Sequence, residues 1–176
     1  SAQIYGRSDR VVIDQEESLS SLLQYQAANE SSVPSIEKIG KVCYLHKPIH
    51  ISAQSTLRFE GKDCPELRLY PNSYIRIAGK AYFMDIKVTS ADPLTKAPIQ
   101  ISRETHNKVR PHIYTDVPAE YVHIENSEFS YLGSFTGEKG STWGVSFWHL
   151  KSGYVNNSKF HHNYFGIYTW ETKNVT

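Results

Sequence analysis

The chain opens on a short apolar stretch, Val11-Val12-Ile13, that reads as a strand. Asp14 then precedes Glu17 by three positions, the spacing of a capping box, and Leu19, Leu22, Leu23 and Ala27 follow as one apolar stripe at helical spacing. The pattern predicts a helix over 14–29, stopped by the segment 31–34. After it the periodicity changes from helical to alternating. Short runs at 42–45, 49–52, 56–60, 66–70, 74–78 and 82–89 have every second residue apolar and are divided by Gly61, Pro65, Pro71-Asn72 and Gly79. Strands this short and this closely spaced fit a sandwich, a barrel or a solenoid.

Internal repeats separate these architectures. Gly144-Val145-Ser146-Phe147-Trp148 returns 22 positions later as Gly166-Ile167-Tyr168-Thr169-Trp170, and Lys151 and Lys173 keep the same offset. Asn126-Ser127-Glu128-Phe129 returns as Asn157-Ser158-Lys159-Phe160 after 31 positions, and the additional nine residues correspond to 134–142, a Gly-, Ser- and Thr-rich inserted loop. A repeat near 22 residues with no second element in it fits the coil of a right-handed parallel β-helix. The expected fold is therefore an all-β solenoid: one domain over 1–176, coils over 42–176, and the 14–29 helix capping the first coil. Val122, Ile124, Phe129, Val155 and Phe160 point inward in this register, and Asn126 and Asn157 form a ladder at the turns. The strand pattern still runs at Val175-Thr176 without a cap. This predicts a truncated chain, or an open end that takes a partner or a second copy.

Composition narrows the function. A net charge of +1 over 176 residues gives no general electrostatic claim on nucleic acid, and no apolar run reaches the length of a membrane insertion. The 12 Tyr and 3 Trp suit a sugar-facing surface and ordinary β structure alike. Cys43 and Cys64 lie about one coil apart, which stacks them on successive rungs either as a disulfide or as two buried thiols. His161-His162 has no third ligand at metal-site spacing, so neither a metal nor another cofactor is expected. The basic run from His106 to His112 reads as a solvated loop.

The segment 121–176 carries an Asn-Ser-x-Phe strand, Tyr131-Leu132-Gly133, Trp143-Gly144-Val145-Ser146, Ser158-Lys159-Phe160, and the coil from Tyr164 to Glu171. In that order these resemble the periplasmic mannuronan C5-epimerases, β-helix enzymes that act on alginate; 56–88 resembles the family's early coils. The resemblance implies the N-terminal part of such an enzyme, a periplasmic or extracellular location, and an acidic polysaccharide (a polyuronate) as partner. The family's Asp-Pro-His-Asp signature would fall about a dozen residues past Thr176, so the resemblance implies no catalytic residue within this chain. Kept in register, that motif stacks above Tyr168-Thr169-Trp170-Glu171, which stacks above Ser146-Phe147-Trp148-His149. Trp148, His149, Tyr168, Trp170 and Glu171 are thereby the substrate-binding candidates. The tryptophans would stack on sugar rings, Tyr168 and His149 would bond hydroxyls or carboxylates, and Glu171 would orient a neighbouring base. A packed ladder is the competing role for the tryptophans. A non-catalytic binding or accessory periplasmic β-helix is the competing function.

Overall fold

The structure is a computed structural model that describes the backbone of residues 4–6 and all atoms of 9–29, 34–105, 108–116, 118–135 and 142–176. Its elements in chain order begin with β1 (Ile4–Gly6), β2 (Val11–Ile13), β3 (Glu16–Ser18), α1 (Leu19–Asn29), β4 (Ile36–Ile39), β5 (Val42–Leu45), β6 (Ile49–Ile51), β7 (Thr56–Glu60) and β8 (Glu66–Leu69). They continue with β9 (Ile75–Ile77), β10 (Lys80–Met84), β11 (Lys87–Ser90), β12 (Ile113–Thr115), β13 (Tyr121–Glu125), β14 (Glu128–Ser130), β15 (Gly144–Trp148), β16 (Ser152–Asn156), β17 (Lys159–His161) and β18 (Phe165–Trp170).

Strands with the in-out alternation of Ile75-Arg76-Ile77 or Leu67-Arg68-Leu69 bury one face only, so each coil depends on its neighbours for a core. The result is a parallel β-helix of three sheets. Sheet A runs β1-β2-β6-β9-β12-β15-β18, sheet B runs β3-β7-β10-β13-β16, and sheet C runs β4-β5-β8-β11-β14-β17. From β5 onward the chain visits C, A and B in rotation, and every pairing between rungs is parallel. The antiparallel strands β1 and β4 close the N-terminal edges of sheets A and C, and α1 packs its buried Leu19 and Leu22 against the same end.

Inside, like residues stack on like. Phe59 and Phe83 lie parallel with centroids 4.5 Å apart, Phe83 meets Phe129 edge-on at 5.2 Å, and Phe129 stacks on Phe160 at 5.1 Å. Val122, Ile124 and Phe129 are buried, and Val155 and Phe160 pack against the same core.

The corners use left-handed backbone. Asp85, Asn126 and Asn157 take positive φ between sheets B and C, Tyr131 and His162 between C and A, and Gln54, His149 and Glu171 at the turn out of A. Asn adopts this region readily, whereas bulky residues there are uncommon. At three of these corners a residue meets its equivalent one rung on. Asn157 donates through Nδ2 to Oδ1 of Asn126 at 2.6 Å, the ring of Tyr131 stacks on His162 at 4.8 Å, and His149 Nδ1 lies 2.9 Å from Glu171 Oε2.

Two insertions, 91–112 and 131–143, both leave sheet C and re-enter sheet A. Arg110, 2% exposed, clamps them together. Its Nε donates to Gly133 O at 2.7 Å, Nη1 to Ile99 O at 3.1 Å and Nη2 to Leu132 O at 3.3 Å. Burial pushes the guanidinium down to about 10, which leaves it cationic at neutral pH, and the three carbonyls supply the hydrogen bonds that a buried charge requires. Most of the inserted loop at 134–142 (136–141) and His106 of the basic run lie outside the described residues.

Four expectations are corrected. The helix starts at Leu19 rather than at 14, because Glu16–Ser18 pair with β7 in sheet B. Ser18 and Ser21 then form the cap, with Ser21 N donating to Ser18 Oγ at 3.1 Å and Ser18 N to Ser21 Oγ at 2.8 Å. Parallel pairing also begins at β2 and β3, ahead of residue 42. The run 82–89 is two strands bent at Asp85. Cys43 stacks on Leu67, not on Cys64; Cys64 reaches it from the turn before β8, and the two form a fully buried disulfide with Cα atoms 5.9 Å apart.

Closing a loop of this length restricts the unfolded chain by ~3 kcal/mol. The double variant Cys43→Ala/Cys64→Ala is therefore expected to lose about that much in urea unfolding. Phe129→Ala, which opens the aromatic stack at its centre, is expected to lose ~4 kcal/mol in the same measurement.

Candidate functional site

The outward positions of sheet A form one continuous face. Strand register aligns His50, Arg76, Tyr114, Ser146 and Tyr168 in a single column. At its N-terminal half, His50 Nε2 is 2.9 Å from the Tyr74 hydroxyl, and Tyr74 stacks on His112 at 5.3 Å with Tyr114 beside both. Arg76 is held by Asp116 through Nε at 2.7 Å and again through Nη2. Burial holds the His112 imidazole down to about 4, and burial together with the Arg76 charge lowers His50.

The C-terminal half is aromatic. Trp148 lies in register with Trp170, their rings 6.2 Å apart. Tyr168 sits 5.7 Å from Trp148 and meets Trp143 edge-on at 5.0 Å, and Trp143 contacts Phe165 at 4.9 Å. Trp170 remains 50% exposed. The indole N–H groups of Trp143 and Trp148 have no acceptor among the described residues.

Two threonines brace this surface. Thr115 Oγ1 accepts from Trp148 N at 2.6 Å and lies 2.8 Å from Trp148 O, which extends the β12–β15 ladder past its last backbone pair. Thr172 Oγ1 donates to Phe147 O at 2.9 Å on the next rung. Gly144, at φ 138°, faces Phe165 so closely that a Cβ would lie 2.7 Å from the Phe165 oxygen. The register then skips Gly166, so the 22-residue repeat holds from Val145 onward and Gly166 is an additional residue in β18.

The five sequence candidates come together at this end. Trp148, Tyr168 and Trp170 face outward from sheet A, and His149 and Glu171 occupy the adjoining corner. The corner contact occupies the Glu171 carboxylate on His149 Nδ1. A depression of about 510 Å³ opens there, lined by His149, Leu150, Lys151, Glu171, Thr172 and Lys173. The sequence reading missed His50, Tyr74, Arg76, His112, Tyr114 and Trp143. Their in-out alternation was visible, but the rung offsets that align them are lengthened by insertions.

No family model matches the chain, and no curated protein matches it in sequence. Solved structures do. The crystal structure of the periplasmic alginate epimerase AlgG matches with a TM-score of 0.78 and 19% identity, over 93% of this chain and 39% of that one. This chain has the AlgG fold. A substituted form of AlgG gives the same TM-score at 18% identity over 94% of this chain and 41% of that one. Another gives it at 19% over 93% and 40%. The chain thus spans about two fifths of the length of the AlgG structures, and at this identity what it shares with AlgG is the fold. Among its described residues, no helix is long and apolar enough to cross a membrane.

The half-buried His112 generates a pH dependence. Its folded value of about 4 lies below the ordinary 6.5, so the unfolded chain takes up the proton first as pH falls. Its contribution is fully present above pH 6.5 and is lost on descent to about 4, on the order of 3 kcal/mol in all. Melting temperature measured across that range should fall. His112→Phe, which keeps the stack on Tyr74 without the titration, should flatten the decline.

Proposed function

We propose that this chain is a polysaccharide-active β-helix whose sheet A face binds an acidic polysaccharide, as the N-terminal part of a mannuronan C5-epimerase acting in the periplasm. The observation that carries the reading is the Trp148–Tyr168–Trp170 surface. It consists of three outward aromatic rings on two adjacent rungs, with the Trp148 backbone held by Thr115 and the two rungs tied together by Thr172. Aromatic faces suit the apolar faces of pyranose rings.

C5 epimerisation removes a proton next to a carboxylate and returns one to the opposite face. It needs a base, an acid, and a cation or donors for the enolate-like intermediate. No Asp-Pro-His-Asp occurs in this chain. In this reading the chain supplies binding, and the reacting groups lie elsewhere in the enzyme. The AlgG fold supports the reading, and so does the stacking of the five candidates on two adjacent rungs.

The test is calorimetric titration of the chain with oligomannuronate. Trp170→Ala is expected to weaken binding about tenfold, or ~1.4 kcal/mol, with the melting temperature unchanged. A large drop in melting temperature would instead place Trp170 in a structural ladder. If the chain binds oligomannuronate but a longer form that includes the Asp-Pro-His-Asp coil leaves the proton spectrum of polymannuronate unaltered, the accessory-protein reading replaces the enzyme.

A further inference from the structure

The turn from sheet A into sheet B holds charges that the aromatic face does not require. Lys151 N donates to Ala119 O and Lys173 N to Leu150 O, both at 3.0 Å, so Glu120, Lys151 and Lys173 occupy the same position on three successive rungs. Rungs of a parallel sheet are ~4.8 Å apart. Lys151 pairs with Glu120 at 3.1 Å, and no carboxylate among the described residues pairs with Lys173. One step closer to the aromatic face, Glu171 is engaged by His149 at 2.9 Å. Both acidic side chains of this corner are therefore held by a neighbour, and Lys173 stands outside both pairs. On each of the two rungs the order is the same: an outward tryptophan, a corner residue, one spacer, then a lysine. His149, Lys151, Glu171 and Lys173 all line the 510 Å³ depression beside Trp148 and Trp170.

We propose that this depression is a carboxylate-reading subsite, in which a uronate ring seated on Trp170 and Trp148 directs its carboxylate to Lys173 and, one rung away, Lys151. The inference rests on the polysaccharide reading of sheet A and adds what makes that face select an acidic polymer over a neutral one. Stacking on an aromatic ring is indifferent to the substituent at C5, whereas an ammonium group is not. Two lysines one rung apart present cations at a spacing close to the length of one pyranose in an extended chain. Glu171 lies 2.9 Å from His149 Nδ1, which fixes its carboxylate on the corner position two residues before Lys173. Lys173 contributes more than Lys151, whose charge is shared with Glu120.

The experiment compares pentamannuronate with cellopentaose, its neutral β-1,4-linked counterpart, by calorimetric titration of the 176-residue chain at low and high salt. Lys151→Gln/Lys173→Gln is expected to weaken pentamannuronate binding about tenfold and to remove most of its salt dependence. The melting temperature and the weak affinity for cellopentaose should not change. Lys173→Gln alone should account for most of the loss. Unaltered pentamannuronate affinity in the double variant, with Trp170→Ala still weakened, would overturn the subsite and leave the aromatic reading standing. Equal affinity of the unsubstituted chain for the two sugars would also overturn it. A chain that binds neither sugar would overturn both readings together.

Discussion

Parallel pairing between rungs forces every side chain to lie directly over the residue in the same register on the rung before it, about 4.8 Å away. This one constraint organises the molecule. Turned inward, it stacks Phe59 on Phe83 in sheet B and Phe129 on Phe160 in sheet C, and Phe83 meets Phe129 edge-on across the core. At the corners it places left-handed residues over one another, where they find each other as a hydrogen-bonded pair, a ring stack and an ion pair. Turned outward on sheet A, it gathers residues distant in sequence, such as His50, Arg76, Tyr114 and Tyr168, into one face. Core, corners and candidate site obey the same rule and differ only in which way the side chain points.

The insertions show how that face is kept regular. The segments 91–112 and 131–143 depart at the same corner, and the buried Arg110 ties the first to the backbone at the start of the second. The clamp lets the chain leave a rung and return to β12 or β15 without shifting the parallel register of sheet A. Thr115 does similar work inside, replacing a missing backbone pair with a side-chain hydroxyl just where Trp148 must be held.

The sequence was most legible where nothing interrupts a rung. Between Val145 and Thr176 one turn of the helix takes 22 residues, so Trp148 over Trp170 and His149 over Glu171 could be read directly from the repeat. Upstream, the segment between Ser90 and Ile113 breaks the period, and the alignment of Arg76 with Tyr114 had no sequence signature. The start of the helix was misplaced because Asp14 and Glu17 imitate a capping box, while pairing of Glu16–Ser18 with Thr56–Arg58 outweighs it. Local propensity lost to tertiary pairing at that point. The disulfide was open for a different reason: the two cysteines are one coil apart in sequence, but Cys64 stands in a turn, where no ladder register applies.

That disulfide also gives the solenoid a direction. Cys43 begins a stretch that passes through sheets C, A and B and ends at Cys64, so the bond makes one complete rung into a covalent ring. A solenoid in which each repeat touches only its neighbours comes apart like a zip, from whichever end opens at least cost. With a closed ring near the N-terminal end, the rungs that bear the aromatic face are free to loosen and re-form without the ring unravelling, and the ring serves as the fixed template on which they are laid down again.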